Sequence, residues 1–205
     1  MALYADRRHA GATLAGALED WHGTDAVVVG IARGGVVVAH EVAHRLALPL
    51  RAIAARKLGA PDHEELAIGA IAGDVEVVDE RAVHGARVSA DELTAIVARE
   101  HAALEARRAV IADDEPFTDL TVLLVGDGVA TGATARAAAR ALRAMGARTV
   151  VLAVPVAPAA WVADAADIEE VVCPHRAPDF WAVGQFYDDF SQTSDDDVAR
   201  LLRDR

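Results

Sequence analysis

The sequence predicts an α/β fold with a mainly parallel central sheet flanked by helices. Short apolar runs of strand length alternate along the chain with longer helical patterns, which is typical of strand–helix–strand units. The chain has 205 residues, of which 53% are hydrophobic and 25% charged, as expected for one globular domain with a sizeable core. We therefore expect a single domain over residues 1–205, with an aromatic-rich hood segment at about residues 174–192.

The first half of the chain is predicted to hold three helices and four strands. Runs of aliphatic residues indicate buried strands, a Gly-Asp pair indicates a tight turn, and Ser89 followed by Glu92 is a helix-capping signature. The predicted elements are, in order, a helix over 7–21, a strand over 25–32, a helix from the loop "RGG" to about Leu48, a strand over 49–58, then a polar loop and two short strands that turn at Gly73-Asp74, and a helix over 89–114.

The second half is predicted to continue this alternation. An alanine-rich helical pattern stops at Gly146, and glycine is a common residue just after a helix. The predicted elements are, in order, a strand over 120–126, the helix "ATARAAARALRAMG", a strand over 148–156, a last strand "DIEEVVCP", the irregular aromatic segment "APDFWAVGQFYDDF", and the short capped helix "SDDDVARLLR".

Charge and cysteine content limit the partners and the compartment. The net charge is −12, from 32 acidic and 20 basic residues, whereas sequence-independent binding to nucleic acid needs a basic face. Cys173 is the single cysteine, so no internal disulfide can form and a reducing, cytoplasmic location is expected, with the thiol a buried small side chain. No apolar run approaches the roughly 18 residues of a membrane span. We expect neither nucleic acid nor a membrane as partner.

The stretch "LLVGDGVATGATARA" (123–137) has the pattern of an anion site. A strand leads through a small, hydroxyl-bearing loop into a helix, whose first amides lack partners within the helix. Thr131 and Thr134 add hydroxyl donors, and the small residues between them let a phosphate approach the backbone. Asp127, at the end of the strand, could accept hydrogen bonds from vicinal hydroxyls or hold a metal. The pattern predicts a site for a ribose 5-phosphate.

Two alternatives to a ribose 5-phosphate site are open for this loop. Gly126, Gly128 and Gly132 spell G-x-G-x-x-x-G after a strand, which is close to a dinucleotide fingerprint. That fingerprint also needs an acid or an arginine about 20 residues further on, and the next strand ends "AVPVAPAA", which has neither. The second alternative is a helix start that merely turns tightly and binds nothing.

The stretch "HEVAH" (40–44) matches the zinc-protease pattern H-E-x-x-H. His40, Glu41 and His44 would share one polar face of a helix that carries Val38 and Val42 on the other. No third ligand is evident nearby. An ordinary solvated helix face explains the pattern, and we expect no protein-bound metal site.

Several segments together resemble a known family. "VLLVGDGVATGAT" is similar to the 5-phosphoribosyl-1-diphosphate (PRPP) binding motif of type I phosphoribosyltransferases. "GIARGGVVVAHEVAHRL" resembles the pyrophosphate loop of that family, and "ARKLGAPDHEELAIGAI" resembles the start of its mobile catalytic loop. The ending "VGQFYDDFSQTSDDDV" resembles a bacterial subgroup whose substrate is poorly defined. The resemblance covers almost the whole chain and implies a type I phosphoribosyltransferase-like core.

The resemblance also implies roles for individual residues. The residues it assigns to PRPP are Arg33, Gly34, Gly35, Asp127, Gly128, Ala130, Thr131, Gly132, Ala133 and Thr134. Residues 131–134 would cradle the 5′-phosphate, Asp127 would bind the ribose hydroxyls, and residues 33–35 would meet the pyrophosphate. Arg56 and Lys57 would close over the leaving group and, with Asp127, form the catalytic set. Mg²⁺ would enter with PRPP and be held mainly by substrate oxygens.

Two departures from the family pattern concern the motif itself. The family usually has two adjacent acids where this chain has Gly126-Asp127, and purine-salvage members have an aspartate where this chain has Ala130. The expected function is transfer of the phosphoribosyl group to a nitrogenous base with release of pyrophosphate. The alternative is a regulatory protein that binds PRPP without turnover. Homodimers are common in the family, so a homodimer is possible.

The hood segment contains an unusual concentration of aromatic residues. Phe180, Trp181 and Tyr187 lie in it, although only 4% of the chain is aromatic. Their rings could stack on an acceptor base, since every base offers an aromatic face. The alternative is a small satellite core made by the same rings.

Overall fold

A seven-stranded sheet forms the centre of the protein in the computed structural model, which describes residues 2–111 and 115–204. Its strands are β1 (Val27–Ala32), β2 (Leu50–Ala60), β3 (His63–Ala72), β4 (Val75–Val78), β5 (Thr121–Val125), β6 (Thr149–Ala153) and β8 (Glu170–Val172). Their order across the sheet is β4-β3-β2-β1-β5-β6-β8, and the strands from β2 to β8 in that order run parallel. The predicted α/β fold with a mainly parallel sheet is confirmed.

Helices cover both faces of this sheet. They are α1 (Arg7–Gly16), α2 (Gly34–Leu46), α3 (Glu80–Gly85), α4 (Ala90–Ile111), α5 (Ala133–Ala144) and α6 (Asp195–Arg203). On one face α1, α2, α4 and α6 share a core that includes Leu14, Val36 and Leu104. On the other face the alanine-rich side of α5 packs around Ala138 and Leu142. Small side chains let α5 lie close to the sheet, which brings its first turn to the ends of the strands.

Side-chain caps mark the helix starts that the sequence predicted. The Ser89 amide donates to Glu92 Oε2 at 2.8 Å and Ser89 Oγ accepts from the Glu92 amide at 3.3 Å, so the predicted capping pair is confirmed. Ser194 and Asp197 form the same arrangement at the start of α6. At α1 the amide of His9 donates to the Asp6 carboxylate at 2.8 Å.

The polar loop predicted after residue 58 is part of a hairpin instead. β2 continues to Ala60 and β3 begins at His63, so the two strands pair antiparallel through a register shift at Gly59. A Cβ at Gly59 would lie 2.5 Å from the Glu64 carbonyl oxygen, and only glycine allows the strands this close approach. The strands pair through backbone groups here, so the hairpin forms although its side chains are polar. The polar side chains are the reason why the sequence predicted a loop.

The first predicted helix is also shorter, ending at Gly16 and followed by a 3-10 turn at Glu19–Trp21. A second, two-stranded parallel sheet was not predicted. It pairs β7 (Val156–Pro158) with β9 (His175–Ala177). Three-residue strands are too short to produce a recognisable pattern in the sequence.

The hood segment is tied to the N-terminus. The amide of Tyr4 donates to the Phe186 carbonyl at 2.8 Å, and the Asp188 amide donates to the Tyr4 carbonyl at 2.9 Å. A 3-10 helix, Val183–Phe186, lies between the two aromatic ends of the segment. Tyr4, Phe186 and Tyr187 form a third, smaller core beside the central sheet. Across the described ranges, no helix is both long and apolar enough to span a membrane.

Candidate functional site

A cavity of about 570 Å³ opens where β1 and β5 end and the helices α2 and α5 begin. Ligands of parallel α/β sheets bind at this edge, because loops and helix N-termini converge there. Most of the site residues predicted from the sequence line it: Arg33, Gly34, Gly35, Lys57, Asp127, Gly128, Ala130, Thr131, Gly132, Ala133, Thr134 and Trp181. Residues as distant in the chain as Arg33 and Trp181 thus line one cavity.

The loop before α5 is shaped by Gly132. This residue has φ +84°, and a Cβ on it would lie 2.7 Å from the Trp161 ring, so glycine is required on both grounds. Trp161 Nε1 donates to the Thr131 carbonyl at 3.2 Å and holds the loop against the protein. Thr131 Oγ1 accepts from the Ala133 amide at 3.4 Å. The remaining amides of the first turn have no acceptor within the helix and are available to an anion.

Asp127 is held from two sides. Arg7 Nε donates to its Oδ2 at 2.9 Å, and Tyr187 Oη donates to its carbonyl oxygen at 2.5 Å. Arg7 is itself fixed, because its guanidinium lies 3.9 Å from the centre of the Phe190 ring and donates to the Ser191 carbonyl at 2.8 Å. Oδ1 of Asp127 makes no hydrogen bond to the part of the chain that the structure describes. One carboxylate oxygen therefore remains for a ligand.

The sequence analysis missed Arg7. A signal was available, because an arginine in the first turn of a helix opposes the helix dipole and so suggests a partner elsewhere. Its side chain is 12% exposed, although arginine is seldom buried unless it is paired. Arg7 is a functional candidate that only the fold brings to the site.

The loop after β1 packs directly on Asp127. A Cβ on Gly34 would overlap Asp127 Oδ2 and lie 2.7 Å from Arg7 Nε, and one on Gly35 would lie 2.7 Å from the Val125 carbonyl oxygen. Two glycines are therefore needed for the predicted pyrophosphate loop to reach the end of β5. α2 begins at Gly34, so its first amides face the same cavity as Asp127.

Three residues that the sequence assigned to the site do not line this cavity. Arg56 donates from Nε to Glu100 Oε2 at 2.6 Å, on helix α4. Phe180 packs on Phe186 with ring centres 5.4 Å apart, and Tyr187 is buried beneath Asp127. Packing in the third core accounts for the positions of the Phe180 and Tyr187 rings. Of the three predicted hood residues, only Trp181 lines the cavity. The roles assigned to these residues stay predictions.

Burial changes the ionisation of the aromatic hydroxyls near the site. It raises the pKa of Tyr187 well above its usual range and that of Tyr4 to about 12. Both phenols are therefore neutral hydrogen-bond donors, Tyr187 to Asp127 and Tyr4 to the Pro155 carbonyl at 3.0 Å.

Gly126 has room for a side chain. The nearest atoms to a Cβ built there would be Val154 Cγ1 at 3.4 Å and the Gly128 carbonyl oxygen at 3.7 Å. The acid that the resemblance expects at this position is thus absent for reasons other than space. β6 ends at Ala153, and Val154 and Pro155 follow, so this strand offers no acid to a dinucleotide ribose.

The other predicted sites have ordinary structural explanations. Glu41 of "HEVAH" pairs with Arg8 at 3.3 Å and with Arg45 at 3.9 Å. Within residues 2–111 and 115–204, no three His, Cys, Asp or Glu side chains form a group that could hold a metal ion. Burial raises the pKa of Cys173, which favours the thiol over the nucleophilic thiolate.

Comparisons with known proteins agree with this geometry. A family model described as the phosphoribosyl transferase domain matches residues 5–191. A Mycobacterium tuberculosis protein, found in two strains and provisionally named a phosphoribosyl transferase, is 44% identical over 207 residues, which is 98% of this chain and 47% of the relative. The chain thus spans about half the length of these curated relatives.

Two solved structures show the same fold. TT1426 from Thermus thermophilus is 40% identical with a TM-score of 0.73, and the match covers 98% of both chains. A purine phosphoribosyltransferase from Pyrococcus horikoshii is 16% identical with a TM-score of 0.51 over 92% of both chains, a similarity of fold alone.

Proposed function

The chain belongs to the phosphoribosyl transferase family, and from that premise we propose that it is a pentosyltransferase acting on PRPP. The phosphoribosyl group would pass to a nitrogenous base or a similar nucleophile, and pyrophosphate would leave. The product would be an N-glycoside of ribose 5-phosphate, as in a ribonucleoside monophosphate.

One observation carries the proposal. Residues 130–134, which comprise the loop before α5 and the first two residues of that helix and which we call the phosphate loop, surround a single cavity together with Asp127 and the loop after β1. The amides at the start of α5 suit the 5′-phosphate, and the free Oδ1 of Asp127 suits a ribose hydroxyl. Arg33 and Lys57 supply positive charge at the side where the pyrophosphate would lie. These three groups match the three parts of PRPP.

Catalysis would rest on positioning and charge. As the bond between C1′ and the pyrophosphate oxygen breaks, its electron pair goes to that oxygen, and the nucleophile's nitrogen forms a new bond to C1′. Arg33, Lys57 and the first amides of α2 would stabilise the leaving charge, and Arg7 would keep Asp127 aligned with the sugar. A proton carried by the attacking nitrogen would pass to the departing pyrophosphate or to water, so this scheme needs no strong base among the side chains.

The donor set fits a magnesium ion carried by the substrate. Asp127 is the one carboxylate among the described residues that line the cavity, and Mg²⁺ commonly keeps water and phosphate oxygens as ligands. We propose that Asp127 assists from the protein side, directly or through the ribose hydroxyls, while substrate oxygens hold the ion. When bound, Mg²⁺ would offset the negative charge of the pyrophosphate.

Trp181 is the side chain best placed to meet the acceptor. It lines the cavity and is 89% exposed, so the face of its indole is accessible to a ring bound there. Stacking would accept many aromatic bases. Ala130 removes the acidic contact expected in a purine-salvage enzyme, which favours an acceptor outside hypoxanthine and guanine.

The second candidate function is a protein that binds PRPP without turnover. Gly126 favours it, because a hydrogen bond to a charged group contributes about 1.5–3 kcal/mol and one such contact is missing here.

The decisive experiment incubates the protein with PRPP, Mg²⁺ and a panel of nitrogenous bases, and measures pyrophosphate release. A base-free reaction and the Asp127→Asn variant serve as controls. We expect release that depends on one class of base and disappears in Asp127→Asn. Tight PRPP binding with no turnover on any base would favour the regulatory alternative, and no PRPP binding at all would contradict both.

A further inference from the structure

A second cavity, of about 420 Å³, adjoins the first and shares Arg33 and Lys57 with it. Five cationic side chains line it: Arg33, Arg56, Lys57, Arg99 and Arg107. We propose that this arginine cavity binds a second anionic ligand, a polyphosphate group of two or more phosphates, and that its occupation opposes binding of the pyrophosphate end of PRPP. The binding part of the proposal stands by itself, and the inhibitory part rests on the proposed function.

The charge at this place is unusual for the protein. The chain has a net charge of −12, yet five cations meet around one space whose walls hold two carboxylates, Glu64 and Glu100. Asp195 adds a third carboxylate at the edge, 3.4 Å from Arg107 Nε and 4.0 Å from Arg33 Nη1. Even without Lys57, the four arginines outnumber these three carboxylates among the residues that the structure describes, and an anion between them would reduce their mutual repulsion.

The ion pairs of the cavity leave hydrogen-bond donors unused. Arg56 and Arg99 each give Nε to Glu100, at 2.6 and 3.0 Å. Their Nη groups make no hydrogen bond to the residues that the structure describes. A guanidinium fork matches the oxygens of a phosphate, so both side chains can hold Glu100 and an anion together.

Arg107 is a largely buried cation of the cavity. Its side chain is 13% exposed, and its Nε forms an ion pair with Asp195 Oδ1 at 3.4 Å. Burial, together with the nearby Arg33 and Arg56, lowers the pKa of Arg107. Burial alone would raise the pKa of Glu100, but its hydrogen bonds from Arg56 and Arg99 keep that pKa below its usual value. The Nη groups of Arg107 make no hydrogen bond to the described residues, so an anion in the cavity would meet donors that the protein leaves unused.

The shared residues couple the two cavities. Arg33 and Lys57 cannot give their donors fully to a pyrophosphate on one side and to a polyphosphate on the other. A polyphosphate in the arginine cavity should therefore compete with PRPP and pyrophosphate, but not with ribose 5-phosphate, which needs only the phosphate loop and Asp127. A triphosphate in the pyrophosphate part of the first cavity would compete in the same way, so the second site is distinguished by its dependence on Arg99 and Arg107, which line the arginine cavity and not the first one.

The test is calorimetric titration of the full chain with inorganic triphosphate, with and without saturating ribose 5-phosphate. We expect one equivalent of triphosphate to bind in both conditions, and Arg99→Gln and Arg107→Gln each to weaken it about tenfold or more. Arg108→Gln makes the same charge change on the same helix outside the cavity and should leave the affinity within about twofold of wild type. Ribose 5-phosphate should bind all three variants like wild type.

Three results would overturn the proposal: no triphosphate binding to wild type, equal affinity in the Arg99→Gln and Arg108→Gln variants, or complete displacement by ribose 5-phosphate. Arg99 is 59% exposed, so its variant should fold and decides the matter even if Arg107→Gln, which loses contact with Asp195, is unstable. Failure of the proposed function would look different, because ribose 5-phosphate or PRPP would then not bind while the triphosphate result could still stand.

Discussion

Arg7 Nε donates to Asp127 Oδ2 at 2.9 Å, across 120 residues of sequence and beneath the Gly34 backbone. The contact joins three parts of the chain: the first turn of α1, the end of β5 and the start of α2. It fixes one oxygen of the carboxylate and leaves the other facing the cavity. The pair sets the orientation of the Asp127 carboxylate.

Replacing Arg7 by Gln should therefore weaken PRPP binding. We expect the KM for PRPP to rise about tenfold with little change in the KM for the acceptor, because a charge-assisted hydrogen bond contributes about 1.5–3 kcal/mol. Steady-state kinetics with each substrate varied in turn will measure the two values. A double-mutant cycle with Asp127→Asn, measured as free energies of unfolding because that variant is not expected to turn over, should show that the two substitutions are not additive.

Arg8→Gln is the matched control for that variant. Arg8 is the next residue of the same helix, but its side chain is 59% exposed and pairs with Glu41 on α2. The Arg8→Gln variant should leave both KM values unchanged, and its free energy of unfolding should stay within about 0.5 kcal/mol of wild type. Equal effects of the two variants on PRPP would contradict a positioning role for Arg7.

Adding an acid at position 126 should strengthen the site. Gly126→Asp meets no atom closer than 3.4 Å at its Cβ and sits on ordinary backbone, so the protein should fold normally. We expect PRPP binding to tighten about tenfold or turnover to rise, from one additional hydrogen bond to the ribose. Gly126→Ala adds the Cβ without the carboxylate and should do neither. If Asp gives no gain over Ala, position 126 is adapted to a different ligand.

Gly132→Ala should damage the phosphate loop. A left-handed alanine costs about 1–2 kcal/mol, and its Cβ would also displace the Trp161 ring that holds Thr131. We expect a loss of stability of at least that size in urea unfolding and a loss of ribose 5-phosphate binding of more than about tenfold. Gly16→Ala, at the end of α1 with no atom within 4 Å of its Cβ, should affect neither measurement.

Trp181 should determine affinity for the acceptor and not for PRPP. Stacking of an aromatic side chain on a base contributes about 1–3 kcal/mol, so Trp181→Ala should raise the acceptor KM by about fivefold or more. Trp181→Phe keeps a ring and should retain most of the affinity. Because Trp181 is 89% exposed, neither change should alter the free energy of unfolding appreciably. An unchanged acceptor KM in Trp181→Ala would place the acceptor elsewhere in the cavity.

The two tyrosines of the chain should make the protein sensitive to alkali. Burial raises the pKa of both in the folded protein, that of Tyr4 to about 12, whereas a tyrosine in the unfolded chain ionises near about 10. Their contribution to stability is complete below pH about 10. It is lost as the pH rises through the folded values, by up to about 1.4 kcal/mol per pH unit for each tyrosine.

Phenolate absorbance and urea unfolding, followed together as the pH is raised, will check this. The native protein should show little phenolate at pH about 10, and phenolate should appear together with unfolding. Tyr4→Phe should reduce the alkaline loss of stability, since one of the two groups is removed. Phenolate that forms near pH about 10 in a protein that is still folded would contradict the prediction.

The local patterns of the sequence predicted most of the fold. Alternating apolar runs located the main strands and helices, and Ser89 with Glu92 marked the start of α4, because a strand's periodicity and a helix cap involve residues only a few positions apart. Errors fell where pairing across strands decides the structure. The β2–β3 hairpin at Gly59 is an example, since the backbone of β3 and not the local side chains extends β2 there.

The sequence by itself therefore determined the α/β order, the family resemblance and the small hydroxyl-bearing loop that follows Asp127, because each of these rests on patterns of residues that are neighbours in the chain. Only the tertiary structure decided what surrounds them. It brought Arg7 to Asp127, joined Arg56 to Glu100 and separated Trp181 from Phe180 and Tyr187, whose rings pack in the third core. These relationships depend on how distant helices and loops pack on the sheet, and no short-range pattern of side chains records that.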